Sequence, residues 1–303
     1  MQFTGLTVDM GIDAHGAAWL LDRARSGVKF DRTLMIGRQN FFVGRREWQR
    51  VLARANQPLP AAWSALDCFH GAHAEPFFKA LGAATVNSLD ATNYEGADRL
   101  HDLNLPVPAA WRESCDVVFD GGSLEHVFQF PTALLNCLHL VKSGGHFIAY
   151  TPANNYFGHG FYQFSPELWW RALNEQTGFK IERMVAVEFG GRVRMFEVND
   201  PAAVGGRVSL LNRAYVLLFV CARKTGPTPE SFGPVMQSDY SATWKQGGQQ
   251  RPAAAPQGSS WQHRLLETAP GLARFLERAH LRWCNRQVRF SNRAAFTPCQ
   301  PNY

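Results

Sequence analysis

Two segments, CDVVFDGGSLEHV at 115–127 and KSGGHFIAYTPANN at 142–155, decide the fold. The first carries a short apolar run that ends at Asp120 and two glycines; the second carries HFIAYT, which ends at Pro152. Between them, 124–141 has helical periodicity, with Gly144 and Gly145 after its end. Strand, helix and strand, with both strands apolar throughout, predict neighbouring parallel strands covered on both faces.

Working outward gives the same alternation. TLMIG at 33–37 reads as a strand, Arg45–Ala55 as a helix and AEPFFKALG at 74–82 as a helix closed by glycine. ATVNSLD at 84–90 reads as a further strand. Downstream, Ser165 sits at an N-cap position before Pro166 and Glu167, and Gly178 stops that helix. FKIERMVAVEF at 179–189 and YVLLFVCARK at 215–224 read as two more strands. The expected architecture is α/β, a three-layer αβα sandwich around a mostly parallel seven-stranded sheet, plus a C-terminal basic helical tail.

Composition narrows the function classes. With 303 residues, 46% of them hydrophobic, the chain has enough apolar surface for a full core. The N-terminus shows no secretory signal, and the longest apolar run, 214–222, is about half of what spans a bilayer. Six cysteines are scattered without a C-x-x-C pair, which fits a reduced, cytoplasmic setting. The formal charge is +6, and residues 226–303 hold nine Lys/Arg against four Asp/Glu. The expected division is an extension at 1–30, a domain at 31–225, a Pro/Gly/Gln-rich linker at 226–260 and a basic helical segment at 261–303. Arg274, Arg278, Arg282 and Arg286 recur every fourth residue there. Such a stripe suits a solvated face, or else a membrane surface or a phosphate-bearing substrate. No nucleic-acid reading module accompanies it.

The 115–155 region, with GFKIERMVAVEF at 178–189 and VLLFVCARK at 216–224, resembles class I S-adenosylmethionine-dependent methyltransferases over roughly residues 30–225. The nearest flavour is the small-molecule and sugar methyltransferases of polysaccharide and natural-product biosynthesis. The resemblance implies a Rossmann-like fold with the first strand beside the fourth, S-adenosylmethionine as cofactor across the carboxyl ends of the sheet, and a small polar acceptor. It implies Asp90 as the acid holding the cofactor ribose. Asp102, with Leu103 beside it, falls at the adenine end. Gly121 and Gly122 follow the fourth strand, and Gly37 follows the first. Asp90 in SLDATN also suits an Asx-turn with Thr92 or Asn93, and Asp102 suits a turn before a Pro-rich loop.

The chain departs from the pattern where the family carries its glycine-rich loop. Met35 stands where an acid is usual, and Arg38, Gln39 and Asn40 replace the second glycine and its neighbours. Arg38 there either pairs with the cofactor carboxylate or points away from the sulfonium. Gly37 to Asp90 is about twice the length of one strand-helix-strand unit, so an insertion lies between. The alternative function is a methyltransferase-like binding or scaffold protein that has lost the cofactor.

The loop TPANNYFGHGFYQF at 151–164 follows the fifth strand, a position that borders the site. His159, between glycines, is the candidate general base, His126 its competitor, and Tyr162 and Asn155 candidates to orient hydroxyl groups. The same GHG sequence also suits a turn with its aromatics packed beneath. Glu125-His126 opens the following helix, where Glu also complements the dipole. His146 reads as a hydrogen-bonded core histidine. His70 and His73 lack a third ligand, and no metal is expected.

Overall fold

The computed structural model describes residues 11–53, 61–64, 66, 69, 71–246, 271–272, 275 and 288–299. In chain order the elements are α1 (Ala14–Arg25), β1 (Arg32–Ile36), β2 (Asn40–Phe41), α2 (Arg45–Ala53), α3 (Ala61–Ser64), β3 (Ala72–His73), α4 (Glu75–Ala80), β4 (Thr85–Asp90) and β5 (Arg99–Leu100). There follow β6 (Cys115–Asp120), α5 (Phe130–Leu140), β7 (Val141–Asn154), α6 (Pro166–Ala172), β8 (Phe179–Phe189) and β9 (Val193–Val198). The last are α7 (Pro201–Val204), β10 (Tyr215–Lys224), α8 (Ser238–Gln246) and β11 (Phe296–Cys299).

The main sheet runs β11-β9-β8-β10-β7-β6-β1-β4-β5. β5, β4, β1, β6 and β7 pair in parallel, and β10 enters antiparallel to both β7 and β8. The first strand thus lies beside the fourth, β6, and the winding reverses there. Two features correct the sequence expectation. The sheet is mixed and has nine strands, because Gly190 and Gly191 let the chain fold back as β9, and β11 then pairs with β9. β11 also shows that the segment expected to be helical ends in a strand; the arginine stripe itself lies outside the described residues.

Side chains of the central strands alternate between two cores. Leu34, Ile36, Val118, Phe147 and Ala149 face α5 and α6, whereas Met35, Val117, Phe119, Ile148 and Tyr150 face α1, α2 and α4. This period of two on a strand buried on both sides makes the three layers. Helix α1, from the segment set apart as an extension, belongs to this core: Trp19 is buried, and the Tyr150 hydroxyl donates to the Gly16 carbonyl at 2.6 Å. A β-carbon on Gly16 would sit 2.6 Å from the Tyr150 ring, so only glycine lets β7 approach the helix so closely. The doubled distance between β1 and β4 is taken up by β2, α2, α3 and β3. β2 and β3 pair with each other, and the crossover is completed by α4.

Residues 124–126 form a single 3₁₀ turn, and α5 starts only at Phe130. Pro131 marks that start, since a proline is tolerated in the first turn and not further inside. At the other end of α5, the buried Lys224 donates to the carbonyls of Val141 (2.9 Å) and Leu138 (3.4 Å), a cation placed where the helix leaves acceptors unpaired. The composition-defined linker also carries structure: Arg112 pairs with Glu230, Phe232 packs on the core, and Glu167 accepts from the Ser238 backbone at 2.7 Å.

At the amino ends of the strands, Asp116 of β6 accepts from the Arg32 guanidinium of β1 at 2.8 Å and pairs with Lys142 of β7. Burial alone would raise its pKa, but the Arg32 and Lys142 hydrogen bonds outweigh it and hold the carboxyl below its ordinary range. A depressed carboxyl stabilises the fold above its unfolded-state pKa, and that contribution fades as pH falls through the folded value. Asp116→Asn should therefore cost about 2 kcal/mol near neutral pH. Chemical denaturation of both proteins should show this gap closing in acid; a constant gap would contradict the clamp.

Candidate functional site

The carboxyl ends of β1, β4, β6 and β7 meet at one end of the sheet, and the site is built there from β6 outward. Asp120, its last residue, is fully buried. Its Oδ1 accepts from the backbone of Ser123 (2.9 Å) and Leu124 (3.3 Å), while Oδ2 has no partner. Burial, reinforced by the charge of Glu125, raises its pKa well above the carboxylate range, which favours the protonated acid.

Glu125 follows on the 3₁₀ turn, with a fully buried side chain whose two carboxylate oxygens lack hydrogen bonds. The loop after β7 closes over it. Phe161 and Tyr162 donate backbone N–H groups to the Glu125 carbonyl at 2.8 and 3.3 Å. Gly160 has φ of 67°, and a β-carbon there would lie 2.8 Å from that same carbonyl. The second glycine of GHG is therefore required both for its backbone conformation and for this approach.

The result places His159 Nε2 3.4 Å from Glu125 Oε1, with the His126 ring centred 5.0 Å from that of His159. Tyr156, buried and without a hydroxyl partner, packs on His159 at 5.7 Å, and its phenol is pushed up in pKa by burial. The donor atoms of Glu125, His126 and His159 all lie within 4.8 Å of one another, so the set is also able to hold a divalent ion. A buried carboxylate without hydrogen bonds is costly, and its position beside two histidines marks a place prepared for a ligand or proton.

The structure thus brings together His159 and His126 and adds Glu125, Asp120 and Tyr156. Glu125 had stood in the sequence as a helix-opening acid; only the fold shows it to be sealed by the 156–164 loop. Tyr162 lies on that loop, but its hydroxyl donates to the Phe128 carbonyl at 2.6 Å, so it ties the loop to 127–129. Asn155, at φ of 66°, donates to Asn212 (2.8 Å) and to the Ala214 carbonyl (2.6 Å), anchoring the loop to the chain that enters β10. His146 is buried and meets Glu182 at 3.2 Å, as a core histidine should. His73 lies on β3, and His70 lies outside the described residues.

The cofactor positions divide. Asp90 ends β4 half-buried, with Oδ1 accepting from the Thr92 backbone at 3.0 Å in an Asx-turn; Oδ2 remains available to a diol. Asp102 is exposed, and hydrogen bonds from the Asn104 backbone and then its side chain lower its pKa. Leu103, by contrast, is buried in the core, and its carbonyl accepts from Asn136, so its side chain does not reach a cleft. Arg38 is engaged within the chain, held by Glu75 at 2.7 Å and the Glu95 carbonyl at 2.9 Å.

Between Gly37 and Gly121 the cradle is partly filled by the chain itself. Gln39 donates to the Ile36 carbonyl at 2.7 Å, and a β-carbon on Gly121 would lie 2.4 Å from its Oε1. A β-carbon on Gly37 would meet Ser123 Oγ at 2.6 Å. The residues at β4 and β6 offer chemistry that fits an adenosine-bearing group: a carboxylate oxygen on Asp90 and bare backbone at 121–122. On the β1 side, Gln39 supplies a polar wall in place of the glycine-rich loop.

No protein-family model matches the chain, and no curated protein matches it. Among solved structures, it is similar to a branched-chain polyamine synthase of Thermus thermophilus bound to N4-aminopropylspermidine and 5′-methylthioadenosine. That match has 12% identity, 75% of this chain and 60% of that one covered, and a TM-score of 0.39. It is also similar to the 1,6-didemethyltoxoflavin N1-methyltransferase of Burkholderia thailandensis with bound S-adenosylhomocysteine (15%, 70% and 78%, 0.35). A third is the N-methyltransferase NodS of Bradyrhizobium japonicum WM9, also with S-adenosylhomocysteine (13%, 70% and 87%, 0.36). At these identities and scores, the activity has to be read from the site itself.

Proposed function

We propose that the protein transfers a methyl group from S-adenosylmethionine to an oxygen or nitrogen of a small polar acceptor. The observation that carries this reading is the Glu125–His159 pair, a buried carboxylate 3.4 Å from an imidazole, beside the point where the sheet reverses its winding. S-adenosylmethionine, when bound, supplies an electrophilic methyl group. Asp90 would hold its ribose, and Gly121 and Gly122 would let it lie close to backbone.

The remaining chemistry belongs to the protein. With its Nε2 lying 3.4 Å from Glu125, His159 is placed to take on its ring the proton that the acceptor loses. Glu125 stabilises the imidazolium that results, more strongly for being shielded from water. The rise in the Asp120 pKa, caused by burial and by the Glu125 charge, disfavours a second negative charge beside Glu125. Exposed Phe157 and Phe161 on the loop, with Phe128 facing Phe161 at 5.6 Å, offer ring faces to a cation or an acceptor.

The packing of Gln39 against Gly121 favours a second reading, a non-catalytic methyltransferase-like binding or scaffold protein that has lost cofactor binding. Calorimetric titration with S-adenosylhomocysteine separates the two: binding is expected, and absence of heat and of any thermal shift would leave only the second reading standing. Asp90→Ala should weaken that binding about tenfold, as loss of a charge-assisted hydrogen bond does. His159→Ala should leave binding unchanged and lower turnover by about 100-fold or more. Glu125→Gln should lower turnover while shifting its pH profile, a change that simple loss of packing would not produce.

A further inference from the structure

The same end of the sheet carries a second feature. A cavity of about 950 Å³ lies beyond β10, lined by the β8–β9 turn, the chain entering β10 and residues 289–291. That size is ordinary for a small-molecule site. Four arginines line it, Arg192, Arg194, Arg213 and Arg289, and Glu188 is the only acid among its lining residues. Glu188 is already engaged: Arg194 donates to it at 2.7 Å and Asn212 at 2.9 Å. Arg192, Arg213 and Arg289 have no carboxylate partner among the described residues, and they arrive from three separate segments of chain.

The cavity is tied to the reacting groups. Tyr215 of β10 pairs with Phe189, and Val216 pairs with Asn154 of β7, so the β8–β9 turn and the His159 loop lie at the same end of the sheet. Asn212 lines the cavity and accepts from Asn154 at 2.6 Å and Asn155 at 2.8 Å. Tyr215, next to the lining residue Ala214, packs on Tyr156 at 5.1 Å, and Tyr156 packs on His159 at 5.7 Å. Two residues thus separate the cavity wall from the candidate base.

We infer that this cavity binds the phosphoryl or pyrophosphoryl group of the acceptor, leaving the acceptor's sugar-like or other polar end at His159. Cations gathered around one cavity favour an anion between them, and planar guanidinium donors match phosphate oxygens two at a time. One matched carboxylate against four arginines leaves the lining with a surplus of three positive charges, suited to a pyrophosphate. The inference rests on reading His159 as the reacting centre, but phosphate binding by the cavity does not require methyl transfer.

The test is therefore made without S-adenosylmethionine. The full chain is titrated calorimetrically with inorganic pyrophosphate and with uridine diphosphate, and sedimented with vesicles containing phosphatidic acid. Binding to the two soluble probes points to a nucleotide-linked acceptor, and binding to the vesicles alone to a lipid-linked one; both support the inference if the arginine variants weaken them. Arg192→Gln and Arg213→Gln should each weaken binding about tenfold at an unchanged melting temperature. Lys180→Gln, at an exposed position on β8, should not. No binding to any of the three probes, or equal weakening by Lys180→Gln, would overturn it. Failure of S-adenosylhomocysteine to bind while pyrophosphate binds would instead remove the methyl-transfer reading and keep the anion site.

Discussion

Strand β6 is buried on both faces from Cys115 to Asp120, and the functional end of the molecule hangs from that constraint. A strand with no solvent-facing side must finish its polar business at its ends. At the amino end this is done by Asp116, which gathers Arg32 and Lys142 from the two neighbouring strands. At the carboxyl end Asp120 turns the chain through its own carboxylate, which places Glu125 under the loop that leaves β7.

The two ends differ in how their charges are settled. Asp116 is matched by cations and held ionised, which suits a structural clamp. Glu125 is buried without hydrogen bonds, and its near neighbour Asp120 is pushed toward neutrality. Buried groups left unsatisfied cost stability and persist where a ligand or a proton completes them. The Gly160 contact with the Glu125 carbonyl makes this arrangement reproducible, because a larger residue would push the loop off the acid.

Much of this was legible in the residues. The apolar runs of β6 and β7, the Ser165-Pro166 start of α6 and the long strands β8 and β10 all declare themselves through local pattern. The β1–β4 insertion was legible as a length and, in α2 and α4, as helices, though not as the β2–β3 pairing. Helix α1 was missed because its pattern has no strong apolar stripe: Asp22 and Arg23 are buried on it together, with Asp22 pairing both Arg23 and Arg183. β9 and β11 escaped because their short stretches acquire strand structure only by pairing with β8 and with each other.

At the site, the sequence by itself determined which residues could do chemistry: two histidines, one of them between glycines, and aspartates at strand ends. It also determined that Met35, Arg38 and Gln39 stand where the resemblance would place an acid and glycines. Tertiary structure decided the rest. It set Glu125 against His159, paired Arg38 with Glu75 and put Gln39 against Gly121. It also drew arginines from three segments around one cavity. The reason is physical: spacing along a chain governs partners only within a turn or a helix face, whereas contacts between distant segments are set by how the layers pack.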